Sequence, residues 1–362
     1  MEMNTKTQTG GGRNYSVDLL KILSMIMVVV LHLNLFGGLL SSATTSDNLG
    51  FRWAVNFYEE TCLIAVNVFV IISSWFLSSS KSTSIKTKRV LHLIVSMFFW
   101  FVVSTTIAYG LGVKVGINEL LSYTPVIGKS YGFITGYIVL YLLSPYLNRL
   151  TSQLSNRAWL ILVVGLFLLF SLSAPIVRNG YLYINGGYSF AWFTIIYLIV
   201  GFIRNCTHWD KYSWKVYVSI FAILTIIGTV ARIYIPSLYV SKGHYNDPIV
   251  FCSALSCFLL FASIKINNKT LCKILSFFVP LSVAVFFIHA NPFIEQWFDE
   301  FGFESVVNED IIKYIVYIPS LAVSVFVFCT LFDYIKEKLF DIIRLTKIVN
   351  NISIVIDKKL EF

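Results

Sequence analysis

Apolar runs of 17 to 24 residues recur from one end of this chain to the other. Each is long enough to cross the hydrocarbon core of a bilayer as a helix, which takes about 20 residues. Ten such runs can be placed, at about 17–36, 54–77, 90–110, 131–147, 158–176, 188–204, 214–235, 248–266, 274–293 and 312–334. The composition agrees: 57% of the residues are hydrophobic and 13% charged, where a soluble domain carries about 25% charged residues. The chain therefore reads as an all-α polytopic membrane protein with about ten transmembrane helices.

An even number of spans puts both termini on one side, and the basic residues say which. One set of loops and ends, from Lys6, Arg13 and Lys21 through the 78–89 loop to the C-terminal tail, holds 21 Lys and Arg; the opposite set holds seven. Basic residues accumulate on the cytoplasmic side, so both termini are expected there. The loop 294–311, with six acidic residues and no Lys or Arg, falls outside. The net charge of +9 is thus a signal of orientation, and no nucleic-acid partner is expected. Residues 1–16 read as a flexible, Gly-rich cytoplasmic tail and 17–335 as the membrane domain. The first apolar run carries Asp18 and Lys21, and no small-residue cleavage site follows, so it reads as a retained span. The basic tail 336–362 mixes Lys with Leu339, Phe340, Ile342, Ile343, Ile348 and Val349. It is either an amphipathic helix on the inner membrane surface or a solvated tail. Six cysteines lie scattered through apolar segments without metal-ligand spacing, so they read as small buried hydrophobes and no metal is expected.

Ionisable groups inside such spans are costly and mark function by default. Lys21 and His32 share the first run. Eleven positions of helix leave them about 20° apart around the axis and about 16 Å apart along it, with Asp18 on nearly the same stripe. Glu59 and Glu60 fall in the outer third of the second run, and His289 ends the ninth near the same depth. Two histidines and a pair of acids at one depth suit general acid/base chemistry, with a carboxylate orienting an imidazole. At the inner face Lys81, Lys86, Lys88 and Arg89 crowd one turn, with Lys21 close in depth. Such a cluster suits the phosphates of a nucleotide-like donor, or simply marks topology. Plainer readings stand beside the others too: a capped interfacial histidine for His32 or His289, a snorkelling Lys21, and a span that begins at Glu59 and Glu60. Arg232 reads as snorkelling at an outer helix end. Tyr181, Tyr183 and Tyr188 form an aromatic belt or a sugar-stacking surface. His92, His208 and His244 are assigned no role.

Four passages, in order along the chain, resemble the acyltransferase 3 family, the bacterial membrane O-acyltransferases of surface glycans. The first is the basic residue, ten residues, then His of Lys21 to His32. The second is Val68-Phe69-Val70-Ile71-Ile72-Ser73-Ser74-Trp75-Phe76-Leu77, similar to the family's Phe-Phe-x-x-Ser-Gly-[Phe/Tyr]-Leu run. The third is Tyr141-Leu142-Leu143-Ser144-Pro145-Tyr146-Leu147-Asn148, and the fourth Phe287-Ile288-His289-Ala290-Asn291-Pro292. Ser74 replaces the usual Gly, and the family's Arg-x-x-Arg stands here as Lys86-Thr87-Lys88-Arg89. A phosphate contact survives Arg→Lys, whereas bidentate geometry does not.

The resemblance implies an acyl-CoA-dependent O-acetyltransferase of the bacterial inner membrane. Acetyl-CoA, or another acyl-CoA, would bind from the cytoplasm with its phosphates near Lys86, Lys88, Arg89 and Lys21. His32 would deprotonate a sugar hydroxyl or relay the acyl group, held by Glu59 or Glu60, with His289 beside it. The acceptor would be a surface glycan, such as a capsule or exopolysaccharide, or its lipid-linked oligosaccharide precursor. The rival reading is a glycan polymerase or flippase. A polymerase calls for a large outer loop and a flippase for an internal repeat or matching broken spans; the sequence displays neither.

Overall fold

The computed structural model describes residues 13–79, 86–173, 184–235, 244–295 and 302–360. Lys81, Tyr181 and Tyr183 lie outside the described residues, as does part of the acidic 294–311 loop. Among the described residues there is no strand. The helices are α1 (Tyr15–Phe36), α2 (Leu39–Thr45), α3 (Leu49–Leu63), α4 (Ala65–Leu77), α5 (Thr87–Gly110), α6 (Ile117–Ser122), α7 (Gly132–Ser152) and α8 (Asn156–Phe167). They continue with α9 (Phe190–Cys206), α10 (Trp214–Tyr234), α11 (Pro248–Ser263), α12 (Lys269–His289), α13 (Phe303–Val307), α14 (Ile311–Ile342) and α15 (Leu345–Leu360).

Among the described residues, every apolar run of the sequence is helical over most of its length. The run 54–77 is α3 and α4 end to end, broken only at Ile64, and α8 runs on into a π-helical turn at Leu168–Leu172. Among the described residues six helical segments are long and apolar enough to cross a membrane: α1, α3 with α4, α5, α10, α12 and α14. The protein is a multi-pass helical membrane protein. Its helix starts are written locally. Asn14 caps α1 by accepting from the N–H groups of Ser16 and Val17, and Asp310 caps α14 by accepting from Ile312 and Lys313. Asp247 caps α11 with Pro248 in the first position, where a missing N–H costs nothing.

Cross-contacts set the directions. Arg13 at the start of α1 donates to Ser276 of α12 at 3.2 Å, and His32 near the end of α1 meets His289 at the end of α12. The two helices are parallel. Tyr314, near the start of α14, donates to Asn34 near the end of α1 at 3.1 Å, and Phe277 of α12 stacks on Tyr334 of α14 at 5.5 Å. So α14 runs back, and its end lies at the same end of the bundle as Arg13. The third sequence passage supplies a packing node there: Asn148 donates to the Leu77 carbonyl and accepts from Tyr197 at 2.7 Å, which ties α7 to α4 and α9.

Two buried ion clusters lock helices together, and the sequence reading missed both. Lys336, 3% exposed, sits 2.9 Å from Asp333 and 2.6 Å from Glu337, and donates to Ser96 of α5. Trp100 donates to Asp333 at 2.7 Å and His92 pairs with Glu337 at 3.1 Å. Lys336 is therefore no tail cation: α14 carries on through position 336 to Ile342. His92, assigned no role from sequence, belongs to this cluster. The second cluster is Arg232 of α10 against Glu60 of α3, 3.2 Å apart, with the Arg232 side chain 10% exposed. Arg232 does not snorkel, because its guanidinium is turned inward onto the buried Glu60 carboxylate. Gly228, one turn earlier on α10, leaves room for that carboxylate; a Cβ there would collide with Glu60.

Candidate active site

The site is built where the ends of α1 and α12 meet. The His32 and His289 rings lie 4.9 Å apart, centroid to centroid. Phe36 stacks edge-on against His32 at 5.5 Å. His289 is 2% exposed, and its Nδ1 hydrogen-bonds the Val285 carbonyl one turn back. A carbonyl only accepts, so Nδ1 carries the proton and Nε2 is left with its lone pair. That Nε2, and Nδ1 of His32, are buried and have no hydrogen-bond partner among the described residues. Buried polar atoms are almost always satisfied. Two unsatisfied imidazole nitrogens in one place mark a spot built to be completed by something else.

Two cavities converge on it. The first, about 300 Å³, runs along α1 and is lined by both Lys21 and His32, with apolar walls that include Phe69, Ile72 and Phe133. The second, about 370 Å³, is more polar and is lined by His32 together with Glu295, Tyr123, Lys129 and Tyr131. His32, Tyr188 and Phe286 line both. His32 thus stands at the junction of an apolar passage and a polar chamber. The common face expected of Lys21 and His32 is the face that lines the first cavity. Lys21 itself is tied to Asp18 at 3.0 Å, and Asp18 also accepts from Arg13.

The acid next to His32 is not one of the pair expected from sequence. Glu295 Oε1 lies 3.5 Å from His32 Nδ1. Glu59 instead accepts from Asn34 at 3.1 Å, and Tyr314 donates to the other end of that amide. Glu60 is engaged by Arg232. Through Asn34, Glu59 lies nearly level with His32 along α1, but Asn34 lies about 200° around α1 from His32. Glu59 therefore sits against a different face of the helix. Glu295 was legible only as one acid of an outer loop. The available signal was its place six residues after His289, with Asn291 turning the chain back by accepting from the Phe293 N–H.

At the opposite end Lys86, Lys88 and Arg89 are exposed at the start of α5. The Lys86 carbonyl accepts from Tyr141 of the third passage. Arg89 is a charged neighbour of Tyr137, which lines the first cavity. Tyr188, from the expected aromatic stretch, faces the junction: its hydroxyl accepts from the Phe133 N–H at 3.2 Å and its ring packs on Tyr245 at 5.7 Å. No cluster of three or more metal-ligating side chains occurs among the described residues.

The model of the acyltransferase 3 family, an acyltransferase domain, matches residues 14–334. The chain belongs to that family. No curated protein and no solved structure matches it. As an acyltransferase 3 protein it is a membrane acyltransferase, and the two cavities and their shared histidine lie within the matched segment. The end of α14 and all of α15 lie beyond it.

Proposed function

We propose that this acyltransferase moves an acetyl group from cytoplasmic acyl-CoA to a sugar hydroxyl of a bacterial surface glycan or its lipid-linked precursor. The observation that carries this reading is the single histidine shared by two cavities of different polarity. One suits the arm of a donor and the other a hydroxylated acceptor. The distance supports it. Lys21 and His32 are separated by about 16 Å of helix. The pantetheine arm of coenzyme A, about 12 bonds from phosphate oxygen to sulfur, extends about 15 Å. With its phosphates near Lys21, Lys86, Lys88 and Arg89, the thioester reaches His32.

In the step itself, the Glu295 carboxylate closes from 3.5 Å onto Nδ1 of His32 and holds its proton there, so that Nε2 is the base. A sugar O–H gives its proton to Nε2, and the oxygen attacks the thioester carbonyl. The C–S bond breaks, and the departing thiolate takes the proton back from the imidazolium. His289 stands as the second imidazole at the reacting centre. Glu59 and Glu60 act at one remove, by holding α3 against α1 and α10. Ten spans with both termini in the cytoplasm fit this direction of transfer. The 21-to-seven excess of basic residues and the shared bundle end of Arg13 and the end of α14 support that orientation in a bacterial inner membrane.

The test is proton NMR of surface glycan from cells with the intact gene, a deletion, and His32→Ala at matched protein level. The O-acetyl signal is expected to vanish in both altered strains. An unchanged acetyl signal with altered polymer length or amount would instead favour a polymerase or flippase.

A further inference from the structure

Helix α5 begins without a cap of its own. Its N-cap residue is Lys86, whose side chain makes no capping hydrogen bond, and a lysine cannot accept one. The acceptor comes from α15. Asp357 Oδ1 accepts from the Thr87 N–H at 2.9 Å and from the Thr87 hydroxyl at 2.6 Å. The same hydroxyl reaches the Ser353 carbonyl. A carboxylate at a helix N-terminus satisfies free N–H groups and opposes the positive end of the helix dipole. So the last helix of the chain caps the helix that opens with Lys86, Lys88 and Arg89.

The face of α15 opposite this contact is uncovered among the described residues. Val349 and Ser353 are buried against the bundle, whereas Ile348, Ile352 and Val355 are 50%, 47% and 56% exposed. Their spacing of four and three residues makes one helical stripe. Arg344, Lys347, Lys358 and Lys359 are also exposed. Helix α14 has 32 residues, about 48 Å of helix, against a hydrocarbon core of about 30 Å. Its last turns therefore extend into the headgroup zone. Only Ile343 and Arg344 separate it from α15, so α15 starts at headgroup depth. An apolar stripe flanked by cations at that depth matches acyl chains below and anionic headgroups beside them.

We propose that α15 is an interfacial helix that binds anionic phospholipid, and that this binding holds the Asp357 cap on α5. The lipid site stands whatever the donor is. Its effect on donor binding rests on the function proposed above.

The experiment uses the full chain in nanodiscs of phosphatidylcholine alone or with phosphatidylglycerol, read by hydrogen exchange. Amides of 345–360 and of the first turn of α5 are expected to exchange about tenfold more slowly with the anionic lipid, since each basic residue near such a surface contributes appreciably. K347Q/K358Q/K359Q removes the difference, and the same three positions as Arg restore it. D357A keeps the lipid dependence of α15 but loses it at the start of α5. Equal exchange in both lipids overturns the proposal. Protection that instead rises with two copies per disc, in neutral lipid, also overturns it and assigns the stripe to a second chain. A raised acyl-CoA KM with kcat retained in D357A would carry the lipid effect to the donor. Unchanged kinetics beside lipid-dependent exchange would leave the lipid site standing and count against phosphate binding at Lys86, Lys88 and Arg89.

Discussion

Lys336 and His32 are both ionisable residues on apolar helices, yet their surroundings are opposites. Lys336 is enclosed by Asp333, Glu337 and Ser96, with Trp100 and His92 closing the outer bonds. Every charge there has a partner. His32 and His289 each keep a buried nitrogen with no hydrogen-bond partner among the described residues, and they face cavities. The first arrangement lowers the free energy of one helix packing. The second forgoes hydrogen bonds in the resting protein: His32 Nδ1 faces the Glu295 carboxylate across 3.5 Å, and His289 Nε2 is left for a group that arrives. Saturated polar clusters in a membrane bundle fix structure; unsaturated ones beside space are where chemistry fits.

That contrast breaks if the two regions respond alike to substitution. The largest effect is expected from His32→Ala: transfer falls by roughly a thousandfold, within the range of a lost general base, while thermal unfolding in detergent stays where it was. A destabilised but active His32→Ala protein would reverse the comparison. Lys336→Met comes next. It leaves the buried Asp333 without its cation beside the half-buried Glu337, and a broken buried ion pair costs about 3–5 kcal/mol. A marked drop in melting temperature is expected, with the folded fraction still transferring acyl groups. Gly228→Ala is smaller. The added methyl meets the Glu60 carboxylate, an overpacking cost of about 1–3 kcal/mol, read as a lower melting temperature with KM unchanged. The smallest is Glu295→Gln. An amide still orients His32 but no longer stabilises the imidazolium, so kcat should fall about tenfold with little change in KM. A Glu295→Gln enzyme with full kcat would mean that the 3.5 Å approach does no work in the reaction.

Much of the bundle was legible from the order of residues, and the reason is local. Each apolar run became helix because a backbone in lipid has only its own segment to bond with. Asn14, Asp247 and Asp310 announce their helices within three residues. The shared face of Lys21 and His32 follows from helical period alone. The acids show the limit. Position along a span says nothing about rotation around its axis, and rotation took Glu59 to Asn34 and Glu60 to Arg232. Glu295 reads in sequence as one acid among six in a loop. Lys336 reads as one tail cation among several, although Asp333 three residues earlier, within an apolar run, was a signal that the span continued.

From sequence alone, then, came the apolar helices and the alignment of the first histidine with a lysine, both set by interactions within a few turns of one segment. The tertiary structure decided which carboxylate stands at His32, which cations are buried, and that two cavities share one imidazole. Those outcomes depend on which helices become neighbours and how each is turned, and packing across hundreds of residues settles that.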